Sequence, residues 1–484
     1  MKHRLFHTLL TIVLFLVPLA YSHALDTRLP DLGTSAGAVL TPAQERELGQ
    51  AFMRSVRRNQ ALLDEPLIMD YIQQLGSTLV EHSDAGGQHF DFFVIDNPQI
   101  NAFAGPAGHI GVFTGLILTT DTESELAAVL AHEIAHVTQQ HLLRAWETAG
   151  NMALPNAAIL LAAIAIGLAA GSDAGLATAI GGQAALLQQQ INFTRAKEQE
   201  ADRIGIEILA AADFEPRAMP AFFARMGKAN QIYQTKVPEF LLTHPVSSSR
   251  TADALGRASN FPYTQAADDL RYQFLRAHLQ QREYDDPQEA ILDFNRLLEA
   301  GRYRNRSATE YGKARALIRA RQLQEADTVM QTLLQKHPES VELIVTKASL
   351  ETDLGQAKRA LQRLQTALLK LPSSYAVNIA YAEVAIAEGD YTTALQHLQD
   401  YIFYRSDDPR VYELMARAAG GLGERLQSHR YLAEYYYLGG NLEAAILQLE
   451  IARKSKGISF YDSSKVESRL QAIEKELADR EERE

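Results

Sequence analysis

A 34-residue step runs through the second half of the chain and constrains the fold more than any other feature. Ala314, Ala348, Ala382 and Ala416 are spaced by it, as are Ala326, Ala360 and Ala394, and Gly355, Gly389 and Gly423. Pro338 and Pro372 close two of the repeats. A period of this length holds one helix–turn–helix unit, with small residues where paired helices approach closely. One unit cannot bury its apolar face alone, so neighbours stack into a solenoid with a concave, protein-binding surface. Ala277 with Ala290 extends the pattern upstream. Ala433, Gly440, Ala445 and Ala452 extend it downstream, with a phase shift near Leu426 that predicts half-repeats.

Upstream of Ala258 the signal is chemical. His132, Glu133, Ile134, Ala135 and His136 read H-E-x-x-H within a stretch whose apolar residues (Leu126, Val129, Leu130, Ile134, Val137) recur every three or four positions. Thr122 and Glu125 fit the capping box that opens such a helix. Residues four apart share a helix face, so His132 and His136 can direct imidazole nitrogens at one point. Zinc accepts His nitrogen there and keeps a coordination place for water, and Glu133 stands beside the first ligand as general base. A third ligand one turn beyond is excluded, because Gln139 and Leu142 occupy the positions where H-x-x-G-x-x-H needs Gly and His. A carboxylate from a later helix is expected instead. Glu198 and Asp202, four apart, supply a ligand and a carboxylate that orients a ligating His. Glu200 is the rival ligand, but Ile204 stands where its matching acid would be.

Thr41-Pro42 predicts a helix start, Pro66–Val80 a second helix, and Phe90–Ile95 and His109–Phe113 strands. The second strand precedes the H-E-x-x-H helix and is a candidate for pairing with an extended substrate backbone. Residues Ala157–Ala170 form an apolar run too short for a span, and an Ala/Gly-rich stretch interrupted by Asp173 continues to Leu187; with Gly167 and Gly171 this 157–187 segment is expected as a helical lid over the site; contact of this stretch with lipid is left open.

These segments together resemble a known family. HEIAH, the run Phe193-Thr194-Arg195 through Glu198, Glu200, Ala201 and Asp202, the upstream Asn101-Ala102-Phe103-Ala104 with Gly111-Val112-Phe113-Thr114-Gly115-Leu116, and the downstream Thr243-His244-Pro245 with Arg250 look like the zinc metallopeptidase family that includes HtpX and the CAAX prenyl protease. Ala107 stands where that family usually has Gly. The resemblance implies one Zn2+ held by His132, His136 and Glu198. It also gives His244 a place in the site, either as a fourth ligand that keeps the enzyme latent or as an oxyanion stabiliser acting with Arg250. His and carboxylate ligands alone do not separate zinc from other divalent metals. The 34-residue repeats match the tetratricopeptide (TPR) signature.

The chain of 484 residues is 46% apolar and carries a net charge of −12 without a basic stripe, which argues against nucleic acid and an anionic membrane surface as main partners. Lys2 and Arg4 followed by apolar Leu9–Ala20 and Ser22-His23-Ala24 read as a signal peptide cleaved after Ala24. No Cys is present, so the site relies on His and carboxylate. The expected fold class is mainly α: a signal peptide over 1–24, an α+β gluzincin-like zinc metallopeptidase domain with a small sheet over 25–257, and a C-terminal TPR α-solenoid over 258–484. Signal, peptidase and repeats in this order resemble exported proteases of the Gram-negative periplasm. That resemblance implies substrates among misfolded or stalled outer-membrane β-barrel proteins, and contact with the β-barrel assembly machinery. A chaperone or scaffold whose metal site is mostly shut is the alternative; an intact Glu133 argues against it.

Overall fold

The computed structural model describes residues 40–142, 144, 195–232, 239–264, 269–455 and 457–481. The expected signal peptide and the expected lid over 157–187 lie outside them. No helix among the described residues is long and apolar enough to cross a membrane.

The first unit is a three-stranded sheet with helices packed against it. Helix α1 (Pro42–Asn59) starts where the sequence predicts: Thr41 caps it reciprocally with Gln44, and Pro42 takes the first turn. Helix α2 spans Pro66–Glu81. Strands β1 (Asp91–Ile95), β2 (Ala102–Ala104) and β3 (His109–Phe113) form a sheet of order β1-β3-β2, with β1 parallel and β2 antiparallel to β3. Strand β3 is therefore central and its backbone is paired on both sides. The expectation that His109–Phe113 pairs with substrate is overturned: β2 is the edge strand. The turn before β3 places Ala107 at φ 57°, in the left-handed region, which accounts for the Gly usual at this position.

A short helix α3 (Thr114–Thr119) leads into α4 (Glu123–Thr138), which carries H-E-x-x-H and is buried along almost its whole length. Helix α5 (Arg195–Ala211) lies directly on α4. Their approach depends on small residues. A Cβ at Gly205 would stand 3.2 Å from the His132 backbone nitrogen and 2.8 Å from the Met219 methyl. Helices α6 (Ala218–Ile232), α7 (Glu239–Thr243) and α8 (Ser248–Ala258) complete this layer. The core beneath joins Ile68, Ile72, Phe92, Val112, Leu126, Leu130 and Phe222, all fully or almost fully buried.

The remaining helices are antiparallel hairpins: α9 (Leu270–Arg282), α10 (Pro287–Glu299), α11 (Arg306–Arg319), α12 (Leu323–Lys336), α13 (Val341–Asp353), α14 (Ala357–Lys370), α15 (Tyr375–Ala387), α16 (Tyr391–Tyr401), α17 (Pro409–Gly421), α18 (Arg425–Leu438), α19 (Leu442–Arg453) and α20 (Phe460–Glu481). The periodic alanines Ala314, Ala348, Ala382 and Ala416 are all buried between paired helices. The periodic glycines turn α13 into α14, α15 into α16 and α17 into α18 with φ of 74°, 82° and 77°. One step earlier the same position holds Arg321, forced to φ 58°. Gly440 and Gly457, with φ of 79° and 74°, add left-handed turns at half the period, which is the expected phase shift.

The solenoid is docked on the first unit. Helix α9 turns Tyr272, Leu275 and Leu279 into the core under the sheet, and Phe274 and Ala277 into the first repeat core. The buried Asp70 of α2 accepts hydrogen bonds from Ser374 Oγ and the Tyr375 N–H, each 3.0 Å long, at the start of α15. Glu65, at the cap of α2, pairs with Arg282 at 2.9 Å and Arg315 at 3.6 Å.

Candidate metal centre

Helix α4 is fixed at its start by the Thr122 hydroxyl, which accepts from the Glu125 N–H; the Glu125 carboxylate in turn accepts from Asp121 N–H, one residue before the position a reciprocal box uses. From there the helix delivers His132, Glu133 and His136, all 1–2% exposed, to the interior. Helix α5 delivers Glu198 and Asp202, and the segment after α7 delivers His244.

One donor atom from each of His132, His136, Glu198 and His244 lies within 4.8 Å of the others. The two Nε2 atoms of His132 and His136 face each other at 3.0 Å. Glu198 is 3.6 Å from His132 Nε2 and 3.4 Å from His136 Nε2, and His244 Nδ1 is 3.2 Å from both His132 Nε2 and Glu198 Oε2. Ligands held about 2.0–2.1 Å from a tetrahedral ion are ~3.3–3.4 Å apart. The separations bracket that edge length, and the nitrogen and carboxylate donors suit one divalent cation.

Charge balance points the same way. Burial depresses the His132 imidazolium, but hydrogen bonds to Asp202 and Glu198 overcome this and hold its pKa up at about 10. Burial, with the neighbouring His132 charge, pushes His136 well below its ordinary value despite Glu198. The neighbouring acids and the burial thus move the two facing imidazoles in opposite directions. Burial would raise Glu198, yet His244, His132 and His136 hold its carboxyl well below the usual carboxylate range. His132 Nδ1 approaches Asp202 Oδ1 at 3.0 Å, off the ideal hydrogen-bond angle.

Glu133 lies buried beside the cluster. Burial raises its pKa, with His244 and His132 opposing. Its Oε1 is buried without a hydrogen-bond partner and lies 3.4 Å from His244 Nε2. The Ala104 N–H of edge strand β2 bonds its carboxylate. In β2, Gly105 donates to His109 and Asn101 accepts from Phe113, so alternate residues face β3 and the polar groups of Ala102 and Ala104 face away from it. A small cleft lined by Ala104–Gly108, Glu45, Gln88 and His136 opens at this end of the strand.

Arg250 differs from expectation, and Glu200, the rival ligand, is set apart as expected. Arg250 does not stand ready for an oxyanion. Its guanidinium clamps Asp202 with two bonds of 2.8 and 2.7 Å, touches Glu198 at 2.7 Å and donates to the Pro245 carbonyl at 2.9 Å. It neutralises the two buried acids from behind. Glu200 is outside the cluster; its carboxylate lies 3.3 Å from His141 Nε2. His141, five residues after His136 and off its helix face, lies against His136.

Comparison with known proteins agrees with this arrangement. Residues 66–258 match the model of Peptidase family M48, and residues 352–418 match a tetratricopeptide repeat. The chain is 33% identical to the beta-barrel assembly-enhancing protease of Yersinia pestis, over 92% of this chain and 91% of that one. It is 32% identical to the protein of that name in Escherichia coli (strain K12), over 94% of this chain and 92% of that one. A mitochondrial metalloendopeptidase, OMA1 of Danio rerio, is 29% identical over 49% of this chain and 51% of its own. The donor cluster and an alignment running almost end to end lead to one conclusion: the chain is a metalloprotease and belongs to the family of beta-barrel assembly-enhancing proteases.

Proposed function

We propose that the chain is an exported zinc endopeptidase of the periplasm, acting in the assembly and quality control of outer-membrane β-barrel proteins. In this reading residues 1–24 direct export, 25–257 cut, and the repeats of 258–484 recruit clients and contact the β-barrel assembly machinery. His132, His136 and Glu198 would hold the ion, and Asp202 orients the His132 ring. Bound zinc supplies Lewis acidity that lowers the pKa of a coordinated water and polarises a carbonyl. Glu133 takes a proton from the attacking water on Oε1 and returns it to the departing amide nitrogen, a task its raised pKa suits. The outward edge of β2 beside Glu133, through Ala102 and the Ala104 carbonyl, receives the substrate backbone, so binding depends little on side-chain identity.

The observation that carries this reading is the buried Oε1 of Glu133, which accepts no hydrogen bond and lies 3.4 Å from His244, beside the converging donors. A structural ion needs no such base. Glu133→Gln tests it: zinc content measured by mass spectrometry stays at one per chain, while cleavage of an unfolded β-barrel substrate is lost. Full rescue of a deletion strain by this variant would instead favour the chaperone or scaffold reading.

His244 takes a second proposal. Its Nδ1 occupies the fourth position of the cluster, where water would otherwise stand, and its ring stacks on Phe240 at 5.0 Å. We infer a latent arrangement from which His244 withdraws before turnover. His244→Ala then cleaves faster than the parent; a loss of about tenfold or more would make His244 a transition-state group instead.

A further inference from the structure

His136 is held from behind by a residue to which the mechanism gives no role. Helix α4 ends at Gln139, and Gln140 adopts φ 53°, in the left-handed region. On an unbroken helix, residues five apart diverge by about 140°. The left-handed residue redirects the chain and brings His141 back against His136. His141 is fully buried; its Nδ1 lies 2.8 Å from His136 Nδ1, and the two rings meet edge to face at 4.9 Å. At its other end, His141 Nε2 is 3.3 Å from Glu200 Oε2, on the first turns of α5.

With His136 Nε2 as a ligand atom, these contacts admit one placement of the protons. His136 presents Nε2 to the donor cluster, so its proton sits on Nδ1 and is donated to Nδ1 of His141. His141 then carries its own proton on Nε2 and donates it to Glu200. The line of contacts ends on a carboxylate that is 39% exposed. A left-handed backbone at Gln140 is disfavoured for a residue with a Cβ. A side chain that only filled space would require neither that turn nor a carboxylate at the far nitrogen.

We propose that Glu200 and His141 form a positioning relay for His136, locking its ring and tautomer and strengthening Nε2 as a donor. It gives the second imidazole what Asp202 gives the first. The proposal rests on the reading of His132, His136 and Glu198 as metal ligands.

Three variants of the full chain test it, with zinc affinity read by chelator competition and the ligand field read from the visible spectrum of the cobalt(II) form. His141→Phe keeps a ring and removes the acceptor; zinc affinity should fall about 10–100-fold and the cobalt bands should shift. His141→Asn places an acceptor oxygen near the lost Nδ1 and should restore most of the affinity. Glu200→Gln, at the partly exposed end, should weaken zinc by a smaller factor without changing the fold. The relay is overturned if folded His141→Phe binds zinc within twofold of the parent, or if His141→Asn is as weak as His141→Phe. Should His141→Phe not fold, Glu200→Gln decides, and an affinity within twofold of the parent overturns the relay. A parent chain that takes up no stoichiometric zinc brings down the ligand reading and the relay with it; a parent that binds zinc beside indifferent variants brings down the relay alone.

Discussion

The seating of α5 on α4 at Gly205 sets where Glu198 and Asp202 stand relative to His132, and one methyl group tests this. In a helix interior, Gly→Ala gains about 1 kcal/mol from backbone entropy and propensity. At Gly205 that gain meets resistance, because the new Cβ would lie 3.2 Å from the His132 nitrogen, 3.3 Å from the Ala131 carbonyl carbon and 2.8 Å from the Met219 methyl. The Met219 end can swing away; the two backbone atoms cannot without moving the helices by a few tenths of an ångström. Overpacking of this kind costs about 1–3 kcal/mol. The net loss should be about 1 kcal/mol, with Tm down by roughly 2 °C. Gly227 in α6 is the control: nothing lies within 4 Å of its added Cβ. There the same substitution should raise stability by about 1 kcal/mol. Function should separate the two further, since a preorganised site tolerates displacements of only about 0.5 Å. Zinc affinity and cleavage should fall in Gly205→Ala and stay level in Gly227→Ala. Thermal unfolding with and without chelator, followed by a peptidase assay, measures both. If Gly205→Ala were stabilised as much as Gly227→Ala and kept its zinc affinity, the close approach would not set the site.

Arg321→Gly should stabilise the repeats by up to about 1 kcal/mol, because it relieves a left-handed Arg; the exposed Arg321–Asp353 pair it removes is worth little. Urea unfolding reads the difference. Arg250→Met leaves Asp202 and Glu198 buried without their cation and should cost about 3–5 kcal/mol of stability in chelator-treated protein, measured by the same titration. The docking of the repeats should respond to acid through Glu65. Burial raises its pKa, but His278, Arg315 and Arg282 more than offset this and hold it at about 2, against an ordinary value of 4.5. A depressed carboxylate stabilises the fold above its unfolded pKa, so this contribution is full above about pH 4.5 and fades as pH falls toward about 2. Glu65→Gln should flatten the stability profile over that window; an unchanged acid profile would show that Glu65 does not hold the units together.

Much of this was legible locally. The 34-residue step, the cap at Thr41 and the four-residue spacings of His132 with His136 and Glu198 with Asp202 are short-range patterns, and each follows from helix geometry. What was hidden depended on chain reversal or on topology. His141 could not be found by helical spacing, because a left-handed Gln carries no composition signal of the kind Gly gives. The edge strand was misplaced because its identity depends on sheet order. Ala102–Ala104 and His109–Phe113 are both short and apolar, and only the order β1-β3-β2 decides which is left unpaired. Arg250 was expected toward the reacting atoms because an Arg near a His suggests anion binding; two buried acids from α5 claim it instead.

Helix α9 carries a consequence for how this enzyme can be divided. Its two faces are spoken for by different neighbours, Tyr272 and Leu279 by one and Phe274 by the other. Severing the chain at residue 258 would strip a wall from the catalytic half and leave an orphaned greasy face on the adaptor half. Neither fragment is then an honest miniature of its parent. A client that tugs on the solenoid pulls, through this rod among other contacts, on the floor beneath the cutting machinery.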